Sequence, residues 1–337
     1  MAEFAIKKIN DLNTSEKNAV DKFVMIPDTN GEFINTIKYL DYHPLGRFQD
    51  ESICIQEKGS KSIVGVMMAA LSPENNNCIV SHPGTTFAGP IIKRCVNVQY
   101  SLELLKLLME YYEKRYNKII IRTAPALFGN QPNGLIDYFL SVNGYKYEIS
   151  ALSNVIDLTG INCENDVINM FDRKKRNKLR KNLQGDTISI YKKNLVDQTV
   201  WQSINENLEN KFFTKTTHTW EEITELVNRF PKAIDVFYTV DKEGEYCAFS
   251  LNYRFKNIYH TQYMGLNYEK RAYNPNVYLV YYMMIEAKKQ GFKYFSFGAS
   301  TEKQGQYLNT GLFEYKAGYG GGEIILPSYK KEVRGIQ

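Results

Sequence analysis

Residues that most often announce a chemistry are scarce here, with 5 cysteines and 4 histidines in 337 residues. The cysteines (Cys54, Cys78, Cys95, Cys163, Cys247) are scattered, odd in number and free of CxxC spacing. That argues against a disulfide framework or a cysteine-held metal and for reduced core thiols. No GxSxG, HExxH, Walker or dinucleotide-binding pattern is present, so the common hydrolase, metalloprotease and nucleotide-loop chemistries have no footing. No basic-then-apolar leader opens the chain and no apolar run reaches membrane-spanning length, which makes a cytoplasmic protein the expectation. The net charge of +5 is mild. It suits phosphates or acidic substrates and falls short of a strong nucleic-acid signature.

Tyrosine and phenylalanine are plentiful, at 25 and 18. Such cores adjoin polar clefts, because each tyrosine hydroxyl needs a partner. Length suits two domains. Residues 14–24 open on a Thr/Ser cap and read as a helix. "GEFINTIKYLDYHPLGRF" reads as a second helix running into a Pro-Gly turn. "SICIQEKG" and "SIVGVMMAALS" read as a hairpin, and "NNNCIVSH" as another strand. "YSLELLKLLMEYYEKRY" has helical spacing at Leu104, Leu107, Leu108 and Tyr111. "KIIIRTA" is a buried strand, followed by a helix, a Gly turn and two strands. The second half replays this order. Three meander strands lead into a helix with Pro275 in its first turn and Gly291 past its end, then the strand "FKYFSFGAS" and a Gly-Tyr turn. The repeat predicts two similar domains, 1–155 and 156–337, each an α/β (α+β) unit with a mixed, mostly antiparallel central sheet and flanking helices.

Between the halves "DVINMFDRKKRNKLRKN" and the Leu183 that follows it place Met170, Phe171, Leu179 and Leu183 on one helical face and seven basic residues around it. A solvated face, a diphosphate clamp and a tRNA contact are all open readings of that helix.

Several stretches resemble FemABX-like proteins, the tandem branch of the GNAT acyltransferase superfamily, in the form encoded with surface-polysaccharide genes. "LDYHPLGRFQD" resembles their "hP..rf.d" signature and "SHPGTTFAGP" their "SHpG.tyGG" element. "FDRKKRNKLRKN" is similar to "k.R..iRkA", "FFTKTTHTWEEITELVNRFP" to "PtHs..E...L...fP", and "NTGLFEYKAGYGG" to "N.gl..fK..fG". The matches span nearly the whole chain. Ala88 stands where the family has a first glycine, and Asn182 where its basic helix has alanine.

The resemblance implies two GNAT-like domains and an N-acyltransferase. Its acyl donor would be acyl-CoA (acetyl-CoA), and its acceptor the amine of a nucleotide- or lipid-linked amino sugar for a surface glycan. An aminoacyl-tRNA donor acting on a peptidoglycan precursor, and a non-catalytic ligand-binding module, are the alternatives. In this fold two strands splay, and a donor's arm pairs with them like an added strand. Here the splayed strand is 259–265, offering Tyr263 and Gly265. Its phosphate loop is 266–276, with Arg271 and Asn274 near a helix start. That loop is not Gly-rich, and Pro275 removes one N–H.

His82 precedes a proline at a strand end; it is either a hydrogen-bonded turn histidine or a base or ligand to the acceptor. His43 with Arg47, Thr86 in the same Gly-Thr turn, and His218 before a Thr cap are acceptor-binding candidates beside equally plain structural readings. The resemblance carries the family's diphosphate-associated arginine to Arg176. It also carries the channel lysine to Lys316, whose plain alternative is a strand-edge charge. Tyr315, Tyr307 and Tyr263 are candidate proton donors to a leaving thiolate or ribose oxygen. His260 reads as a core histidine sharing a strand face with Gln262. No metal is expected, and the oligomeric state is open. "SHPGTTFAGP" is thus expected to be a strand end opening onto the first domain's acceptor cleft.

Overall fold

A computed structural model describes residues 3–94, 97–130, 134–185, 187–212 and 215–333; Cys95 lies outside them. The chain divides into two compact units. The first takes Met1–Ala151 with Lys303–Gln306 and Ile325–Gln337, and the second takes Leu152–Glu302 with Tyr307–Ile324.

In the first unit β1 (Phe4–Lys8) is followed by α1 (Thr14–Val24) and a one-turn α2 (Ile37–Leu40). Asn13 and Glu16 close a capping box at 3.0 and 3.1 Å, which fixes the start of α1. Its Val20, Phe23 and Val24 then meet Cys54, Val66 and Met68 in a small core. The second predicted helix shrinks to a 3-10 turn plus α2. The Asp21 carboxylate takes the Ile37 and Lys38 N–H groups at 2.6 and 3.0 Å, and Pro44 and Gly46 stop the run.

Strands β2 (Ile53–Glu57), β3 (Ile63–Met68), β4 (Ala70–Ser72), β5 (Asn75–Val80) and β6 (Gly89–Ile92) precede α3 (Val98–Glu113), β7 (Lys118–Arg122), α4 (Gly134–Val142) and β8 (Lys146–Asp157). β1, β2, β3 and β6 form one antiparallel sheet. β5 pairs antiparallel with β4 and parallel with β7. α3 buries Leu104, Leu105, Leu108, Met109 and Tyr112 against Ile119, Ile121 and Ile53. β8 is one strand, not the two expected, because nothing between 146 and 157 turns the chain.

The second unit opens with α5 (Glu164–Met170) and α6 (Arg173–Gly185), then β9 (Ile188–Lys193), α7 (Gln198–Phe212) and α8 (Trp220–Arg229). The meander β10 (Ile234–Asp241), β11 (Tyr246–Arg254) and β12 (Ile258–Leu266) leads to α9 (Pro275–Lys289) and β13 (Tyr294–Ala299). A small hairpin of β14 (Thr301–Glu302) and β15 (Tyr307–Leu308), then α10 (Thr310–Ala317), precede the last strand, β16 (Gly322–Glu332). The sheet order is β8-β13-β12-β11-β10-β9, antiparallel except between β12 and β13. α9 buries Leu279, Val280, Met283 and Met284 in its core. The mixed α/β class with mostly antiparallel sheets is as the sequence implies. The end of β16 pairs antiparallel with β7, Ser328↔Arg122 through Glu332↔Lys118, and so belongs with the first unit.

Candidate active site

In the second unit β12 and β13 share three register pairs: Ile258↔Tyr294, Tyr259↔Phe295 and His260↔Ser296. Beyond them each strand is bent by its own irregularity. The β11 register passes from Leu251↔Tyr263 to Asn252↔Thr261, so Gln262 bulges out. In β13, Gly298 sits at φ +70°, and the β8 register skips from Ser296 to Ala299. The sheet therefore parts after His260, within the stretch expected from the sequence.

A file of polar side chains follows the parting. Ser153 Oγ meets Ser296 Oγ at 3.2 Å, and Ser296 Oγ meets His260 Nδ1 at 3.1 Å. Gln262 hydrogen-bonds both His260 and Tyr263. The Tyr263 hydroxyl meets His218 Nδ1 at 2.5 Å. Two candidates 45 residues apart in sequence are thus partners. Burial, then the nearby Lys316 charge, lowers the His260 pKa to about 3, so the imidazole is neutral. Burial raises the Tyr263 phenol to about 12.

Lys316 lies on α10, not on a strand edge, and is 8% exposed. Its Nζ donates to the Gly298 carbonyl at 3.1 Å and the Ala299 carbonyl at 2.5 Å. Burial lowers its pKa to about 8. Beside it the Tyr315 hydroxyl meets that of Tyr319 at 2.8 Å, and also hydrogen-bonds Asn276 in the first turn of α9. Lys175 Nζ stands 5.1 and 4.7 Å from the Tyr315 and Tyr319 ring centroids and pairs with Asp172 at 3.3 Å.

The expected phosphate loop is a 3-10 turn, Tyr268–Tyr273. Lys270 ties it to Asp241 at 2.6 Å and to Glu245, while Arg271 is exposed. Asn274 takes φ +53° and gives α9 no side-chain cap, and Pro275 follows it. Gly265 is buried; a Cβ there would press on Ile204 at 2.5 Å and the Tyr246 hydroxyl at 2.9 Å, so its missing side chain serves packing. Arg176 is half-buried on α6, whose 13 residues include seven lysines and arginines. Among the described residues only Lys175 of these has a carboxylate partner.

In the first unit the two motifs around His43 and His82 fold onto each other. The rings of His43 and His82 stack at 6.2 Å, and Phe48 stands edge-on to both at 4.8 and 5.1 Å. Arg47 Nη1 lies 3.5 Å from His43 Nδ1 and is otherwise exposed. A Cβ at Gly84 would overlap His43 Nε2, which explains the glycine of "SHPG". Thr86 is half-buried in the same turn.

His82 has the contacts of a hydrogen-bonded turn histidine, the plainer of its two readings. Its Nδ1 accepts from the Gly84 N–H at 3.2 Å, so the proton sits on Nε2 and the ring is a donor. Burial, then His43 and Arg122, holds its pKa to about 3. The loop, expected to open onto an acceptor cleft, is bonded along β7. Ser81 N–H donates to the Ile120 carbonyl at 2.9 Å, and Ala88 N–H donates to the Arg122 carbonyl at 2.8 Å. The Arg122 N–H donates to Ser81 Oγ at 2.8 Å.

A profile of the acetyltransferase (GNAT) domain family matches residues 173–317, the stretch from α6 to α10. Residues 173–317 are thus similar to a GNAT acetyltransferase domain. Solved structures of the same fold extend the likeness to the whole chain. FemX superposes with a TM-score of 0.67 at 14% identity, over 97% of this chain and 96% of its own. A tandem GNAT protein from the clavulanic acid biosynthesis pathway gives 0.56 at 10% identity over all of both chains. L-PGS from Bacillus licheniformis gives 0.52 at 13% identity, over 82% of this chain and 83% of its own. The fold is shared with FemX and with a tandem GNAT protein. No curated protein matches the chain by sequence.

Four residues of weight in the two units were not among the site candidates drawn from the sequence. Ser296 and Gln262 carry the polar file of the GNAT domain; only Gln262 had a signal, its alternation with His260. Asn182, one of the two departures from the family pattern, donates to the Asn274 carbonyl at 3.2 Å and so holds the start of α9. Arg122 had no signal beyond its place at a strand end. Among the described residues no group of three or more His, Cys, Asp or Glu could hold a metal ion. No helix among them is long and apolar enough to cross a membrane.

Proposed function

We propose that the chain is an N-acyltransferase that holds an activated acyl donor along β12 of its GNAT domain and passes the acyl group to an amine. The three-pair contact between β12 and β13 carries this reading, because the strand edges beyond it suit an extended carrier arm. The amine nitrogen attacks the acyl carbonyl, the new C–N bond forms, and the thiolate or ribose oxygen leaves with a proton. Alignment supplies much of such a rate. The Lys316 ammonium, which donates to the two carbonyls at the end of β13, is positioned to offset the negative charge of the tetrahedral intermediate or of a donor phosphate. Tyr315, whose hydroxyl points to the start of α9, is the candidate proton donor to the leaving group. Tyr263 and His218 form a coupled pair at the bulge and fix the shape of the strand there.

The acceptor is the amine of a nucleotide- or lipid-linked amino sugar, and the donor an acyl-CoA. The polysaccharide-type motifs around His43, Arg47, His82 and Thr86 support the acceptor class. Mass spectrometry of a panel of nucleotide-linked amino sugars incubated with acyl-CoAs tests it: an N-acylated product supports the reading, and no product with any pair counts against it.

An aminoacyl-tRNA donor is the second reading, favoured by the six unpaired cations of α6 and by Pro275, which leaves one N–H fewer for a pyrophosphate. Here tRNA affinity falls steeply with salt, and Arg176→Ala or Lys178→Ala flattens that slope by about one unit each. Tight ligand binding without product from either donor would instead indicate a binding module.

A further inference from the structure

Arg122, at the end of β7, is a cation without a counter-charge. Its Nη2 donates to the carbonyls of Ser81 at 3.4 Å and His82 at 3.1 Å. Its Nε is covered and makes no hydrogen bond. Among the described residues no carboxylate lies within 4.0 Å of the guanidinium, and it has no further polar partner. Two backbone carbonyls do not require a full charge; a neutral amide would satisfy them. A largely enclosed cation left unpaired is disfavoured unless an anion completes it. The residue keeps partial exposure, so an anion has access.

The comparison between the two units sharpens this. β7 pairs with β5 as far as Val80↔Ile120, as β13 pairs with β12 as far as His260↔Ser296. Two residues further on, β13 has Gly298 and β7 has Arg122. In the GNAT domain the strands beyond that point diverge. In the first unit the gap is stitched by Ser81 and Ala88, which take the β7 groups that an added strand would use. The first unit therefore offers no slot for an acyl carrier and presents a guanidinium instead. His82, buried in the same loop, carries a neutral N–H donor on Nε2, and the rings of His43 and Phe48 adjoin it.

We propose that Arg122 is the anion-binding residue of the first unit, seating a phosphate or carboxylate oxyanion of the acceptor at the sealed mouth between β5 and β7. A guanidinium binds such groups with short, charge-assisted hydrogen bonds. This deepens the acceptor half of the proposed function, yet it is read by binding alone, so a failure of the transferase reading leaves it measurable.

The test is isothermal titration of the full chain with inorganic pyrophosphate in one arm and malonate in the other, at low salt. Binding of pyrophosphate that weakens at least tenfold in Arg122→Gln and is retained in Arg176→Gln supports a phosphate seat. The same pattern with malonate supports a carboxylate seat. No binding of either anion by the wild type, or equal binding by Arg122→Gln, overturns the proposal. Should Arg122→Gln fail to fold, wild-type crystals soaked in selenate decide: an anomalous peak within hydrogen-bond distance of Arg122 supports it, and peaks only elsewhere, or none, overturn it.

Discussion

At the scale of single residues, burial decides which titratable groups can act. His82 and His260, both pressed to about 3, are neutral over the working range and serve as hydrogen-bond partners. Lys316 is the group poised near neutrality. Burial lowers its pKa from 10.5 to about 8, so between those values the unfolded chain binds more protons than the folded one. Stability must then rise with pH through that window, and the buried ammonium is a fixed penalty below it. Lys316→Met is expected to flatten the rise between pH 8 and 10.5 in a denaturation series and to lower kcat on the order of 10²-fold. In the wild type, turnover that needs the ammonium falls as pH climbs through about 8. Such environments were hidden in the sequence, which shows a residue type and not its enclosure. Lys316 reads equally as an edge lysine or a channel lysine until α10 is seen to bury it.

At the scale of elements, what was legible follows local rules. The span of α1 was read correctly although its cap is Asn13 rather than the Thr/Ser pair, the apolar spacing placed α3, and Pro275 with Gly291 bracketed α9. The meander and the parting of β12 from β13 were legible from strand patterning with the resemblance. What was not legible depends on non-local partners. The helix expected around Ile37 is cut to one turn by Asp21, sixteen residues away. The 81–88 loop looks open in sequence, yet it donates to β7 and closes its gap. Gly84 is the hinge of that packing, because any side chain there meets His43 and Phe48. Gly84→Ala is expected to destabilise the protein by about 1–3 kcal/mol through overpacking. Chemical denaturation checks this, with Gly46→Ala as a comparison of different character: its site is open, and its strain is one of backbone, at φ +84°.

At the scale of the whole molecule, sequence halves and compact units differ. The repeat suggests a cut near residue 155, but Ser328–Glu332 complete the first unit by pairing with β7, and Tyr329 enters its core beside Ile119 and Ile121. A fragment of residues 1–155 is therefore expected to lack a cooperative thermal transition. Supplying residues 303–337 as a separate peptide should restore part of it, as circular dichroism would show. The proposed division of labour has the same origin. Both units carry the strand–helix–strand plan of a GNAT fold, but only the second leaves its central strands apart, while the first closes the gap and lines its mouth with His43, Phe48, His82 and Arg122.

That asymmetry makes one donor site per chain, along β12, the core of the account. Amide hydrogen exchange of the full chain, with and without a saturating donor from the acyl-CoA or aminoacyl-tRNA panel, tests it most directly. The account predicts new protection confined to residues 261–266 and the start of α9, with residues 81–88 and 118–122 unchanged. Protection at 81–88 and 118–122 with none at 261–266 would contradict it.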